Sequence, residues 1–381
     1  MCLYGELAIN RKYTDNKKNG GNIPPILDIR TKYVPISCGK CIECKRAKAR
    51  DWQIRLTEEI KSNNTKGYFV TLTFSDESIY KIINSKPTKN WPGLKNIEGY
   101  SLDNGIATRA VRLFLENWRK KYNTSLRHWL ATELGHEGTE NIHLHGIIWT
   151  NENFEEIRNT WHYGYVYPRP HELEKNYVSE RTINYIIKYI NKTDEDHPNY
   201  DSIILASHKP GIGLNYINTY NGKLNKFKGA NTKETYTTSN GREVPLPIYY
   251  KNKLYTDEQK EQLWLIKLDK NERYIMGEKV INDEEGKQLH RTLEYYRKIN
   301  KELGYGNNEK DWNKIQYENA RRKLLYETRL KNASPAGQLN MGTDKDGRGK
   351  THKATQNRPK KNINKIAKEI TGKNLSDMIG I

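Results

Sequence analysis

Two histidines, His143 and His145, sit two residues apart in Asn141-Ile-His-Leu-His-Gly-Ile-Ile-Trp149, a run whose apolar and β-branched residues have strand character. On a pleated strand, side chains at i and i+2 leave the same face, so both imidazoles can bind one ion. A second strand-like run, Arg127-His-Trp-Leu-Ala-Thr-Glu-Leu-Gly135, precedes them across the turn residues His-Glu-Gly-Thr-Glu-Asn. Folding this hairpin about Gly138 sets Glu133 opposite His143. A carboxylate and two imidazoles suit a divalent ion such as Mn²⁺ or Mg²⁺; the alternative is that the histidines are packed residues. Further on, Tyr185-Ile-Ile-Lys-Tyr-Ile-Asn-Lys192 places Tyr185 and Tyr189 four apart, on one face of a helix about one turn from each other. Either hydroxyl can then reach one phosphate.

The elements that must position these groups are legible on both sides. Tyr68-Phe-Val-Thr-Leu-Thr-Phe74 reads as a strand, 107–122 as a helix packed on a sheet, and Phe154 to Trp161 as a short helix. Gly164-Tyr-Val-Tyr-Pro-Arg-Pro170 reads as an edge strand ended by prolines. The order strand, helix, two-strand hairpin, helix, strand, helix is that of an α+β antiparallel sheet.

Composition narrows the partner. The chain has 381 residues and a net charge of +19, which implies a polyanion and favours nucleic acid over a merely solvated surface. Its 26 tyrosines and 8 tryptophans against 5 phenylalanines suit both interior packing and stacking on unpaired bases. Mean hydropathy is −0.96, and no apolar run approaches the roughly 18 residues of a membrane span. The first twelve residues reach charge too early for a secretory signal, so the expected compartment is cytoplasmic, with reduced cysteines.

Taken in order, the strand Phe69-Val-Thr-Leu-Thr-Phe74, the His-hydrophobic-His strand with an acid in the strand before it, and the tyrosine helix resemble the three motifs of the HUH endonucleases. Within these, the chain is similar to the rolling-circle replication initiators of microviruses, of gokushovirus-like type, over roughly residues 68 to 192. The resemblance implies a ferredoxin-like or RRM-like sheet with helices on one face, its open face holding Glu133, His143 and His145. It implies a divalent ion there and nucleophilic attack by Tyr185 and Tyr189 on a single-stranded DNA origin. Lys188 and Lys192, each three residues after a tyrosine, would favour phenolate or hold phosphate. The product would be a 5′-phosphotyrosyl adduct and a 3′-OH that primes a host polymerase, assisted by a host helicase, in the bacterial cytoplasm. No Gly-x-x-x-x-Gly-Lys-Ser/Thr loop is present, in keeping with an exchange of one phosphoester for another. Three other readings stay open: a non-enzymatic, zinc-stabilised DNA-binding protein, a histidine-dependent phosphohydrolase or nucleotidyl transferase, and a one-tyrosine plasmid initiator or transposase.

The four cysteines, Cys2, Cys38, Cys41 and Cys44, all lie in the first 44 residues. They read either as a tetrahedral zinc site or as three small buried residues and a fourth by chance. From Cys41 to Lys61 a helix is expected, with Lys45, Arg46, Lys48 and Arg50 as a basic face and Trp52, Leu56 and Ile60 as its buried stripe. The expected division is a Cys-rich segment and basic helix (1–64), a catalytic core (65–195), an irregular linker (196–255), a helical accessory region (256–331) and a basic, mostly disordered tail (332–381).

Overall fold

The computed structural model describes residues 1–89, 91–136, 140–191, 194–197, 199–281 and 286–309, with 315, 316, 318, 319, 322, 323 and 327 beyond them. The chain starts with an antiparallel pair, β1 (Glu6–Ile9) and β2 (Tyr33–Ile36), followed by the long helix α1 (Ile42–Ser62). The core then runs β3 (Gly67–Leu72), α2 (Asp76–Ile83), α3 (Gly99–Tyr122), β4 (Arg127–Leu134), β5 (Ile142–Trp149), α4 (Phe154–Thr160), β6 (Val166–Tyr167), α5 (Glu180–Asn191) and β7 (Ile204–Ala206). Its five strands lie in the order β6-β3-β5-β4-β7, each antiparallel to its neighbours, so the fold is the expected α+β sheet.

Alternation along β5 divides the interior in two. Leu144 and Ile148 point with Val70, Leu72, Leu130 and Leu134 toward α3, where Ile106, Ala110, Phe114 and Trp118 close the larger core. Ile147 and Trp149 point the other way, with Trp129 and Ala131, against α1 and α5. Helices α2, α3 and α4 thus account for the face that was expected to be covered. The opposite face is not open along its length: α1 and α5 cover its Trp149 end and leave the His143 end accessible. The cause is the stripe Ile183, Ile186, Ile187 and Ile190, which has no other apolar surface to bury against.

The segment 196–255, expected to be an irregular linker, is more ordered than its turn-rich composition suggests. It supplies β7, the fifth strand, and α6 (Tyr220–Leu224), β8 (Thr235–Thr237), β9 (Glu243–Pro245) and α7 (Ile248–Leu254). Tyr216, Tyr236, Leu246 and Tyr250 from it pack around Ile54 of α1. Beyond lie α8 (Asp257–Asp269), the hairpin β10 (Glu272–Ile275) and β11 (Glu278–Ile281), and α9 (Lys287–Glu302). Ile275, Val280 and Ile299 bury against Leu3, Cys41 and Ile42, so the accessory region closes over the cysteine-bearing segment. The basic tail at 332–381, with the short helix expected near Asn362 to Ile370, lies outside the described residues. No helix among the described residues is long and apolar enough to cross a membrane.

Gly146 lets the three central strands approach. A Cβ there would stand 2.0 Å from the Trp129 carbonyl oxygen and 2.7 Å from the Leu130 Cα, and neither backbone atom can swing aside. Gly146→Ala is therefore expected to cost at least about 2 kcal/mol in urea unfolding; an unchanged midpoint would show that the strands yield there.

Candidate metal and tyrosine site

The register of β4 on β5 places Glu133 directly across from His143, and Ala131 across from His145. Because facing residues of an antiparallel pair share a sheet face, the carboxylate meets both rings. Glu133 Oε2 lies 3.3 Å from His143 Nε2 and 3.0 Å from His145 Nε2. Donors bound at about 2.1 Å in adjacent positions around a six-coordinate ion stand about 3.0 Å apart. The three side chains, each 13–20% exposed, therefore have the spacing and donor types to hold a divalent ion and leave further positions for water or substrate.

On the other nitrogen of His145, Nδ1, stands the Thr71 hydroxyl of β3 at 2.9 Å, a partner that fixes the ring so that Nε2 faces Glu133. Thr71 is in register with His145 across β3 and β5. It lies within the strand singled out from the sequence, but no spacing rule marked it; only the strand register does.

Helix α5 brings the tyrosines to this spot. Its isoleucine stripe is sunk in the sheet, and the side chains one step round the helix, Tyr185 and Tyr189, border the histidines. The Tyr189 ring stacks on His145, centroids 4.4 Å apart and planes within 11°. Its hydroxyl donates to the Tyr185 hydroxyl at 2.9 Å. Tyr185, 49% exposed, rests edge-on against Phe69. Asn176, unnoticed in the sequence, clamps the approach to α5: its amide donates to the Phe69 carbonyl at 2.7 Å and accepts from the Phe69 N–H at 2.9 Å. Burial above all, then the adjoining Tyr185 hydroxyl and Glu133, pushes the Tyr189 phenol well above its usual value. Lys188 is exposed, with its Nζ 6.0 Å from the Tyr185 ring centre. Lys192 lies outside the described residues.

Residues 67–194 match the family model of the replication-associated protein ORF2. That interval holds β3, the Glu133–His143–His145 set and both tyrosines. The replication-associated protein ORF2 of Spiroplasma virus 4 is 38% identical over 55 residues, covering 14% of this chain and 17% of that relative. The chain thus spans under a fifth of the curated relative's length. No solved structure matches the chain.

Around the stretch similar to that family, the basic face of α1 divides. Lys45 and Lys48 line a recess shared with Glu133, Tyr189 and Asp194, while Arg46 turns away and packs its guanidinium 3.6 Å from the Met276 sulfur. Lys45 is tied to Asp201 at 2.9 Å. Outside this stretch the four cysteines come together. The β1–β2 pair returns Cys2 to the start of α1, giving Cys2–Cys41 and Cys38–Cys44 sulfur separations of 3.9 Å, with all four sulfurs within 4.8 Å of one another. Tetrahedral Zn–S bonds of about 2.3 Å require sulfurs about 3.8 Å apart. Backbone N–H groups of Cys38 and Cys41 already point at Cys2 and Cys38 sulfurs, at 3.2 and 3.3 Å. The cluster fits a zinc ion, and Cys2, the residue whose return no spacing could foretell, completes it.

Thr71→Val keeps the shape of the site but frees His145 Nδ1. Mn²⁺ affinity, followed by electron paramagnetic resonance of the free ion, is expected to fall about tenfold; unchanged affinity would mean the hydroxyl does not orient the ring.

Proposed function

We propose that the chain is a metal-dependent endonuclease and strand transferase that nicks and rejoins single-stranded DNA through tyrosine, initiating and terminating rolling-circle replication of a small circular phage genome. The observation that carries this reading is the stacking of Tyr189 on His145. It puts two bonded phenolic hydroxyls beside a carboxylate–imidazole set with ion-binding spacing. The similarity of residues 67–194 to a replication-associated family supports the same process.

A phenol is mostly protonated at neutral pH and attacks poorly. The burial that raises Tyr189 further makes it a nucleophile only when positive charge sits close by. A divalent ion held by Glu133, His143 and His145 would polarise a non-bridging phosphate oxygen and offset the charge developing on it. The tyrosine oxygen forms a bond to phosphorus as the bond from phosphorus to the 3′ oxygen breaks. The phenolic proton is released, and the departing oxygen takes up a proton to become the 3′-OH. Tyr185, as acceptor of the Tyr189 hydrogen bond, is placed to receive that proton or to make the second attack itself. Alternation of the two would cleave the regenerated origin and reseal the first link into a circle. Lys188, and Lys192 beyond it, are proposed to hold phosphate. The free 3′-OH is a primer, so host polymerase and helicase are the proposed partners in the bacterial cytoplasm.

The single-tyrosine and binding-only alternatives separate in one experiment. The wild type, Tyr185→Phe, Tyr189→Phe, the double variant and His143→Ala are incubated with a labelled single-stranded origin oligonucleotide and Mn²⁺, then resolved on a denaturing gel. A covalent adduct is expected in the wild type and none in the double variant or His143→Ala. An adduct that survives both defeats the proposal, and a wild type that binds without any adduct points to the non-enzymatic alternative.

A further inference from the structure

The loop after β4 and the segment after α5 bring together a second set of ligand-type side chains, none of them part of the site above. Asp194 Oδ2 lies 3.0 Å from His197 Nδ1, and its Oδ1 lies 3.7 Å from His136 Nδ1. The ligand atoms of all three fall within 4.8 Å of one another. His197 is fully buried, whereas the His136 side chain is 35% exposed and gives access from solvent. Backbone N–H groups of Asp196 and His197 donate to Asp194 Oδ1, both at 3.0 Å, which holds the carboxylate toward the two rings.

We propose that His136, Asp194 and His197 form a second divalent-metal site of the zinc class. Two imidazole nitrogens and one carboxylate are a borderline donor set with one position left for water. The support behind the ligands is that of a metal centre. The far nitrogen of His197, Nε2, faces Glu140 Oε2 at 3.0 Å, and Glu140 is held in turn by Arg322 at 3.1 Å. A carboxylate on the remote nitrogen fixes the tautomer and turns the other nitrogen toward the ion. Arg322, 1% exposed, also binds the fully buried Asp103 at 2.6 Å. Asp103 and Glu140 thus share one guanidinium while Asp194 adds a third carboxylate, and a dication balances that excess of negative charge better than one proton on His197. The nearest rival is an ion pair, because Asp196 Oδ2 stands 3.0 Å from His136 Nδ1.

Location gives the site a role. His136 lies two residues beyond β4, the strand that carries Glu133, and Asp194 lies three residues beyond α5, the helix that carries the tyrosines. An ion there would tie the exit of α5 to the end of β4. Asp194 also lines the recess with Glu133 and Tyr189, so the second charge would lie near the proposed reacting centre.

The test uses the full chain carrying His143→Ala and His145→Ala, which removes the first site, so that the outcome is independent of the nicking reading. After dialysis against chelator, Zn²⁺ is titrated by calorimetry into this protein and into the same protein with His136→Ala or Asp194→Asn added. Circular dichroism verifies that each is folded, and His136, being partly exposed, is the safer substitution. One zinc per chain more in the parent than in the added variants, or an affinity at least about tenfold weaker in them, is the expected result. Because the count is a difference, it does not depend on whether the cysteine cluster is filled. Equal stoichiometry and affinity in all three proteins would overturn the proposal and leave His136 and Asp196 as an ion pair only.

Discussion

The placement of Tyr189 rests on four isoleucines. Ile183, Ile186, Ile187 and Ile190, each 4% exposed or less, lock α5 onto Trp129, Ala131 and Ile147 of the sheet. At about 1.5–3 kcal/mol for each fully buried side chain, this packing outweighs any single polar contact on the helix. The tyrosines stand beside that stripe, so its seating sets the height of the Tyr189 ring over His145. The sheet must meet the helix in one register. A slip of β5 by one residue would turn His143 and His145 into the core under α3 and expose Leu144 and Ile148. The apolar demands of both faces prevent that slip, and with it fix the distance from Glu133 to both rings.

Charge works at two ranges. The net +19 acts on any polyanion from a distance and brings backbone phosphates to the surface without regard to sequence. Within the recess the balance is local: Lys45 and Lys48 from α1 oppose Glu133 and Asp194, with a phenol between them whose burial disfavours ionisation. A protein that exposed its tyrosine fully would gain an easier phenolate and lose the stacking that positions it. The pair Tyr185 and Tyr189, one half exposed and one covered, spans both conditions within 2.9 Å.

Periodic features were legible in the sequence, and contacts between loops were not. The i, i+2 spacing of His143 and His145 and the hairpin before them gave the facing of Glu133 and His143, because pleat and register are properties of a short local stretch. The i, i+4 spacing of Tyr185 and Tyr189 likewise gave a shared helix face. By contrast β7 is three residues long inside a turn-rich segment, too short for alternation to register. Cys2 reaches the other cysteines only through the pairing of β1 with β2, a non-local event. His136, Asp194 and His197 lie in two loops separated by nearly sixty residues, where no period exists to read. Lys45 and Arg46 illustrate the limit for charges: neighbours on one basic face in the sequence, one lines the recess and the other is buried against Met276.

The central claim is that the Glu133, His143 and His145 side chains form one ion site beneath the tyrosine helix. Crystals of the protein grown with Mn²⁺ would test it directly through anomalous difference density. The account predicts one peak within about 2.3 Å of Glu133 Oε2, His143 Nε2 and His145 Nε2, on the side of the sheet that bears the Tyr189 hydroxyl. Saturating Mn²⁺ that leaves these three side chains bonded only to one another, with the anomalous signal elsewhere, would contradict it.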